Sequence, residues 1–379
     1  MSPAPPASAA AARSLNLLRP GQQPHRRNLE KRTRSGELLR LRRGIYIDAA
    51  AFLSASPDQR HRAESAAVAL TKEHAVFCRE TALALHGVPL LAAPGAVHVR
   101  TFRASRAGRQ CHSQADLPES SDAARDLLQR TGLTPGQARH RLSGLEVRRI
   151  LPPMPAGYTR AQAAAAYREG ALILPRTALP AAAFTGFTAE PHLAEVEDLP
   201  FTLSDTVPRM GMPAAVVVLD AVLRGFGPEK RRYTRESLLA WSTILPSTSL
   251  QKRWQELLAF ADENSESPGE SWSRVLLHQC GFPAPVLQQR FTLSTGRRVR
   301  TDFFWPERGL VGEFDGRMKY TRARQLSGDD AGEVVFQEKR REETLAELGL
   351  RTVRWVWDDL RDPARMVERL SRAGLPRRR

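Results

Sequence analysis

Leu310-Val311-Gly312-Glu313-Phe314-Asp315 is the stretch that decides how the C-terminal part of this chain is read. Just upstream runs Val299-Arg300-Thr301-Asp302-Phe303-Phe304-Trp305. Both runs are short, apolar and bounded by glycine or turn formers, as strands are. Residues two apart in a strand share a face, so Glu313 and Asp315 are expected side by side. Like charges in that arrangement repel, which makes a purely structural role costly. With Asp302 arriving from a neighbouring strand, three carboxylates would converge into a hard-oxygen site suited to Mg²⁺ or Mn²⁺.

Upstream of these strands, Ser267-Pro268-Gly269-Glu270 matches the S-x-x-E capping box with proline at the first helical position. Glu270 therefore has two readings, a cap for its own helix and a carboxylate of the acid site, and one residue can serve both. The helix continues through Trp272, Val275, Leu276 and Leu277 to Gly281. Phe282 to Trp305 reads as two strands joined at Ser294-Thr295-Gly296, and the third strand ends at Gly316. A helix from Asp329-Asp330 to Leu348, stopped by Gly349, carries Glu338, Arg341 and Glu342 in the stripe of Val334, Leu345 and Leu348. Those charges form either an ionic cluster supporting the strand acids or a solvated run. Arg351 to Trp357 is expected as a fourth strand and Pro363 to Leu370 as a closing helix.

The 379 residues carry a formal net charge of +16. Such an excess speaks to partners, nucleic acid before an anionic membrane. The three cysteines, Cys78, Cys111 and Cys280, form no CxxC pair, which suits a reducing cytoplasm. The longest apolar run, Met212 to Leu223, is too short to span a membrane. Residues 1–12 are Pro/Ala-rich and are expected to be a disordered tail, not a signal peptide.

Residues Arg13 to Arg43 hold ten Lys/Arg against two Glu. They end in Leu39, Leu41, Ile45 and Ile47 alternating with charged or small residues, a half-buried hairpin. Arg40, Arg42 and Arg43 would project together toward phosphates. The hairpin is either the wing of a winged helix or a solvated basic hairpin. Pro20, Gly21 and Pro24 leave the helices expected before such a wing hard to find. Asp58 to Lys72 and Arg79 to His86 read as helices, Ala161 to Ala166 as part of another, and Leu145 to Ile150 as a strand. Pro213 to Arg224 is a buried helix, and Arg231 to Phe260 reads as one helical stretch. His86 reads as a capping or packing residue, His98 as a strand residue, and Cys111-His112 as incidental. The polar stretch Ala261 to Gly269 is expected to be a domain boundary.

Two resemblances follow from these pieces. SGELLRLRRGIYID followed by FCRETALALHGVPLL resembles the N-terminal region of AbiEi-type antitoxins of type IV toxin–antitoxin systems. It implies a winged helix-turn-helix region over 13–91, an α/β middle over 92–262, and a toxin partner from a neighbouring gene. SPGESWSR, RTDFFWP, GLVGEFDG and EKRREETLAELGLRTVRW, in that order, resemble the PD-(D/E)XK nuclease fold, and among it the very-short-patch-repair-like endonuclease domains, over 263–379. The implied fold is α+β and multidomain, ending in a restriction-endonuclease-like α/β domain.

On this resemblance Asp302 and Glu313 stand for the two family acids and Glu270 for the acid of the first helix. The position where the pattern carries lysine holds Asp315, so Lys319 or Lys339 would supply the cation. Tyr320, with Lys319, stands where the repair-type enzymes carry histidines. The implied activity is Mg²⁺- or Mn²⁺-dependent hydrolysis of DNA phosphodiester bonds, in phage defence or repair. Asp302, Glu313 and Asp315 would hold the ion, and Arg298, Arg300, Arg340 and Arg341 would bind phosphates without reading sequence. The alternatives are a non-catalytic DNA-binding regulator of the antitoxin kind and, more weakly, an RNA- or membrane-surface-binding protein.

Overall fold

The computed structural model describes residues 17–18, 26–72, 74–111, 117–118, 120–142, 146–155, 157–180, 183–184, 194–227, 230–293, 296, 298–316 and 345–377. The chain divides into two compact units. One comprises Met1–Val88, Ala92–Thr206 and Ala240–Gln251; the other comprises Pro89–Leu91, Val207–Leu239 and Lys252–Arg379. Both are mixed α/β. No helix among the described residues is long and apolar enough to cross a membrane.

The first unit opens with β1 (Leu17–Leu18), α1 (Arg26–Arg34), β2 (Leu38–Arg42) and β3 (Ile45–Asp48). The three strands form an antiparallel sheet in the order β1-β3-β2. Helix α1 was hidden in the sequence because its apolar anchor is a single leucine. Leu29 packs on Leu38 and Tyr46 while its neighbours on the helix are polar. Gly44, at φ +75°, turns the hairpin.

The expectation that three hairpin arginines project together needs correction. A register shift between Arg40 and Arg42 turns the latter inward. Arg40 and Arg43 are exposed, but Arg42 is only 6% exposed and lies in the field of the Glu64 carboxyl.

There follow α2 (Ala49–Ser54), α3 (Pro57–Thr71), β4 (Val76–Phe77), α4 (Arg79–Leu85), β5 (Val97–Arg100), β6 (Gly108–Cys111), α5 (Ser121–Thr131), α6 (Pro135–Leu142), β7 (Glu146–Ile150), α7 (Arg160–Glu169), β8 (Arg176–Ala178), β9 (Glu195–Glu197) and α8 (Leu199–Thr206). Ser56 caps α3 in a capping box with Gln59. The strands β4 to β9 form a six-stranded sheet, β6-β7-β5-β4-β9-β8, in which β4–β9 and β5–β7 run parallel.

Behind this sheet Arg100 is fully buried between Glu197 and Asp205, and Arg79 reaches the same Asp205 carboxylate at 2.9 Å. Four charges removed from water are tolerable only because they satisfy one another. His86 Nε2 lies 2.7 Å from the Glu197 carbonyl oxygen, the packing role expected of it.

The second unit contains α9 (Met212–Arg224) and α10 (Arg235–Leu239). The helical stretch expected over Arg231 to Phe260 is broken. A 3₁₀ turn at Ala240–Ile244 follows α10, Pro246 intervenes, and α11 (Thr248–Phe260) resumes across the division between the units. Then come α12 (Pro268–Gln279), β10 (Val286–Thr292), β11 (Arg298–Trp305), β12 (Leu310–Asp315), β13 (Arg351–Val356), α13 (Trp357–Arg361) and α14 (Pro363–Arg372).

The sheet order is β10-β11-β12-β13; the first two pairings are antiparallel and β12–β13 is parallel. Apolar clusters cover both faces. One joins Leu276, Phe303, Trp305, Trp355, Met366 and Leu370, and the other joins Leu293, Val299, Val311 and Leu345. The compact units do not divide at Ala261 to Gly269. Helix α9 packs on α12 through a buried pair, with Asp220 Oδ2 accepting from Arg274 Nη1 at 2.8 Å.

Candidate active site

The strand acids sit where the sheet changes from antiparallel to parallel pairing. Between β11 and β12 the ladder runs from Trp305↔Leu310 through Phe303↔Gly312. Continuing that register by one step sets Asp302 opposite Glu313. There the backbone pairing gives way to a side chain: Asp302 Oδ2 accepts the Phe314 N–H at 2.9 Å. On the other side, β12–β13 pairing sets Glu313 against Arg354, whose Nε donates to Glu313 Oε2 at 3.2 Å. In β10 the position facing Asp302 is Gln288, between the pairs Leu287↔Phe303 and Gln289↔Thr301. Gln288, Asp302, Glu313 and Arg354 thus form one row across four strands.

Helix α12 brings the fifth member. Ser267 caps it, its Oγ accepting the Glu270 N–H at 3.2 Å. The Glu270 carboxylate answers in a way the capping box does not specify. Oε1 accepts from Ser267 Oγ at 2.7 Å, while Oε2 accepts from the Glu266 N–H and from Gln288 Nε2, both at 2.9 Å. Glu270 is 8% exposed, so its charge is held by three donors and little water. Glu270 thus sits at the helix cap, and its carboxylate is also bonded to Gln288 of β10.

Packing fixes the helix against the strands. A Cβ on Gly269 would lie 1.8 Å from Phe314 Cε1, so the backbone there rests on the ring. Ser273 Oγ accepts from Trp355 Nε1 at 2.7 Å. Gly312 leaves room for Trp355 and Trp305, whose ring atoms would meet its Cβ at 2.5 and 3.0 Å. These contacts hold the Glu270 end of α12 at a defined distance from β12.

Among the described residues no group of three or more Asp, Glu, His or Cys is arranged to hold a metal. Asp302 serves the β12 backbone, Glu313 faces Arg354, and Asp315, half-buried, closes β12 opposite Val356.

Arg300, expected on phosphates, is in a bidentate pair with Glu266 at 2.7 and 2.6 Å, whereas Arg298 is exposed. Lys319, Lys339, Glu338, Arg340, Arg341 and Glu342 lie outside the described residues. Sequence reasoning missed Gln288 and Arg354. Arg354 was legible only as one charge in an alternating strand; its register against Glu313 comes from the parallel pairing. The doublet Gln288-Gln289 inside an apolar strand was the available signal for the other.

Relatives add little chemistry. Over 119 residues the chain is 33% identical to the uncharacterized proteins MT2308 and Rv2248 of Mycobacterium tuberculosis strains CDC 1551 and H37Rv. The matched segment covers 31% of this chain and 41% of each relative, so the chain spans about two fifths of their length. No family model matches the chain. No solved structure matches it either.

Proposed function

We propose that the second unit is a metal-dependent endonuclease acting on DNA, of the restriction-endonuclease-like kind. The observation that carries this reading is the placement of Asp302 and Glu313 across from one another on central strands, with Glu270 tied to the same row from the preceding helix. The element order supports it too: one helix, three antiparallel-paired strands, and a fourth strand returning parallel.

The donor set fits a hard divalent cation that keeps much of its water. It offers carboxylate oxygens, with a neutral amide oxygen at Gln288, and no sulfur or imidazole. Asp302 and Glu313 would hold the ion, which would lower the pKa of a bound water and neutralise charge on the phosphate. Glu270, fixed in place by its hydrogen bonds to Ser267, Glu266 and Gln288, would orient the attacking water and take up its proton. Arg354 supplies the fixed cation that the family pattern draws from lysine, and it stabilises charge that develops on the phosphate oxygens. Arg298 and the chain's +16 excess retain the DNA backbone without reading sequence.

The test is plasmid nicking by the purified full chain in Mg²⁺ or Mn²⁺. Asp302→Asn is expected to lower the rate by roughly 100-fold or more while the protein stays folded. Equal nicking by wild type and variant, or none by wild type, would count against the reading.

A second reading has its own observation. Arg354 already pairs with Glu313, and Asp315 replaces the pattern's lysine, as in a nuclease scaffold kept without catalysis. The chain would then be a DNA-binding regulator of the antitoxin kind, using α1 and the β2–β3 hairpin, with a toxin partner encoded nearby. Sequence-selective binding of duplex DNA without metal-dependent cleavage would favour it.

A further inference from the structure

Gln288 carries two local costs that folding alone does not repay. Its φ is +53°, in the left-handed region that a side chain with a Cβ rarely adopts. The ladder pairs on either side are intact, so the distortion is confined to this one residue, in the interior of β10. Its amide oxygen is also buried without a hydrogen-bond partner among the described residues.

The amide cannot be turned to relieve this. Glu270 Oε2 accepts from the Gln288 NH₂ at 2.9 Å, and a carboxylate has no proton to offer the oxygen in exchange. Nor does the α12 cap require the glutamine, since Ser267 Oγ and the Glu266 N–H already serve the Glu270 carboxylate. A glycine would meet the backbone demand without strain. Residues held in costly conformations by their surroundings cluster at functional centres.

We propose that Gln288 is the positioning residue of the acid row: its NH₂ aims Glu270, and its amide oxygen accepts a hydrogen bond from the water shell of a divalent cation held by Asp302 and Glu313. This rests on reading the row as a nuclease centre. The amide oxygen is neutral, so it orients a water on the cation without adding charge to a site that already has three carboxylates. The left-handed backbone bends the side chain toward Glu270 from a strand position facing Asp302.

The experiment compares wild type, Gln288→Gly and Asp302→Asn as full chains. The readouts are the melting temperature without metal, Mn²⁺ affinity by calorimetry, and the nicking rate against DNA and Mg²⁺ concentration. Gln288→Gly is expected to melt no lower than wild type, because the strain is gone. Mn²⁺ affinity and the maximal nicking rate are each expected to fall about tenfold, with the DNA concentration for half-maximal rate unchanged. Combined with Glu270→Ala, its loss is expected to be less than additive. Should Gln288→Gly bind Mn²⁺ and nick like wild type while Asp302→Asn loses both, the role of Gln288 falls and the nuclease reading stands. A marked drop in melting temperature in Gln288→Gly would make it a folding residue and overturn the proposal. Wild type that neither binds Mn²⁺ nor nicks would overturn the nuclease reading itself, and this inference with it.

Discussion

Glu64 shows how far a single buried charge departs from what its residue type suggests. Desolvation pushes its carboxyl up to about 8, with Arg42 and Arg60 opposing that shift. In the unfolded chain the group returns to its ordinary value of 4.5. Between those values the folded chain keeps a proton that the unfolded chain has released. Stability from this group is therefore present below about pH 4.5 and is lost as pH rises toward about 8. His61, pushed down to about 3 by burial, works the other way: its contribution is lost as pH falls below its ordinary 6.5. Comparing Glu64→Gln with wild type isolates the glutamate. The stability difference between them is expected to move in the variant's favour by on the order of a few kcal/mol between about pH 5 and pH 8. Parallel curves of melting temperature against pH would show that Glu64 ionises normally. Gly312 gives a second test at this scale. Its missing Cβ would meet Trp355 Cη2 at 2.5 Å, so Gly312→Ala is expected to cost about 2 kcal/mol in denaturant unfolding. An unchanged midpoint would mean that the two tryptophan rings can move aside.

At the scale of elements, α12 matters most, because it holds Glu270. Its N-terminus was legible in Ser267-Pro268-Gly269-Glu270, since caps are local and repeat with fixed spacing. Its anchoring was not legible. Asp220 of α9, fully buried, accepts from Arg274 of α12, and the Arg274 guanidinium stacks on Phe260 at 5.0 Å from the ring centroid. In the sequence Asp220 read only as an acid in a buried helix, with its partner many residues away. Asp220→Ala leaves a guanidinium buried without its carboxylate and is expected to cost about 3–5 kcal/mol by thermal or denaturant melting. Replacing both, Asp220→Leu with Arg274→Met, is expected to recover most of that loss. If the double variant is no more stable than Asp220→Ala, the pair is not what ties the helices. Helix α1 is the contrary case. A short helix with one buried leucine has no periodic apolar stripe, so sequence reading passed over it.

For the whole molecule, the excess positive charge governs association more than architecture. Binding to duplex DNA is expected to weaken on the order of a thousandfold between about 50 and 200 mM salt, if roughly six phosphates are neutralised. Affinity independent of salt, followed by fluorescence anisotropy, would remove the electrostatic basis for a nucleic-acid partner. The strands of the C-terminal sheet, the β2–β3 hairpin, β5 and β7 were foreseen, as were most of the longer helices, whereas β1, β4, β6, β8 and β9 are too short to show alternation. Alternation and helical periodicity are local, and they mark which face of each element is apolar. The grouping of α9 and α10 with the C-terminal sheet was not foreseen, because it depends on which buried surfaces match.

The chain's sequence by itself determined the elements around the acids, the cap at Ser267, and the presence of Asp302 and Glu313 on successive strands. Those properties depend on neighbours in the chain. Only the tertiary structure decided that Asp302 bonds the Phe314 amide, that Arg354 stands against Glu313, that Gln288 holds Glu270, and that Arg42 turns inward beside Glu64. Each of those pairings joins residues from different elements. Strand register, helix docking and burial set them, and no short-range pattern encodes any of the four.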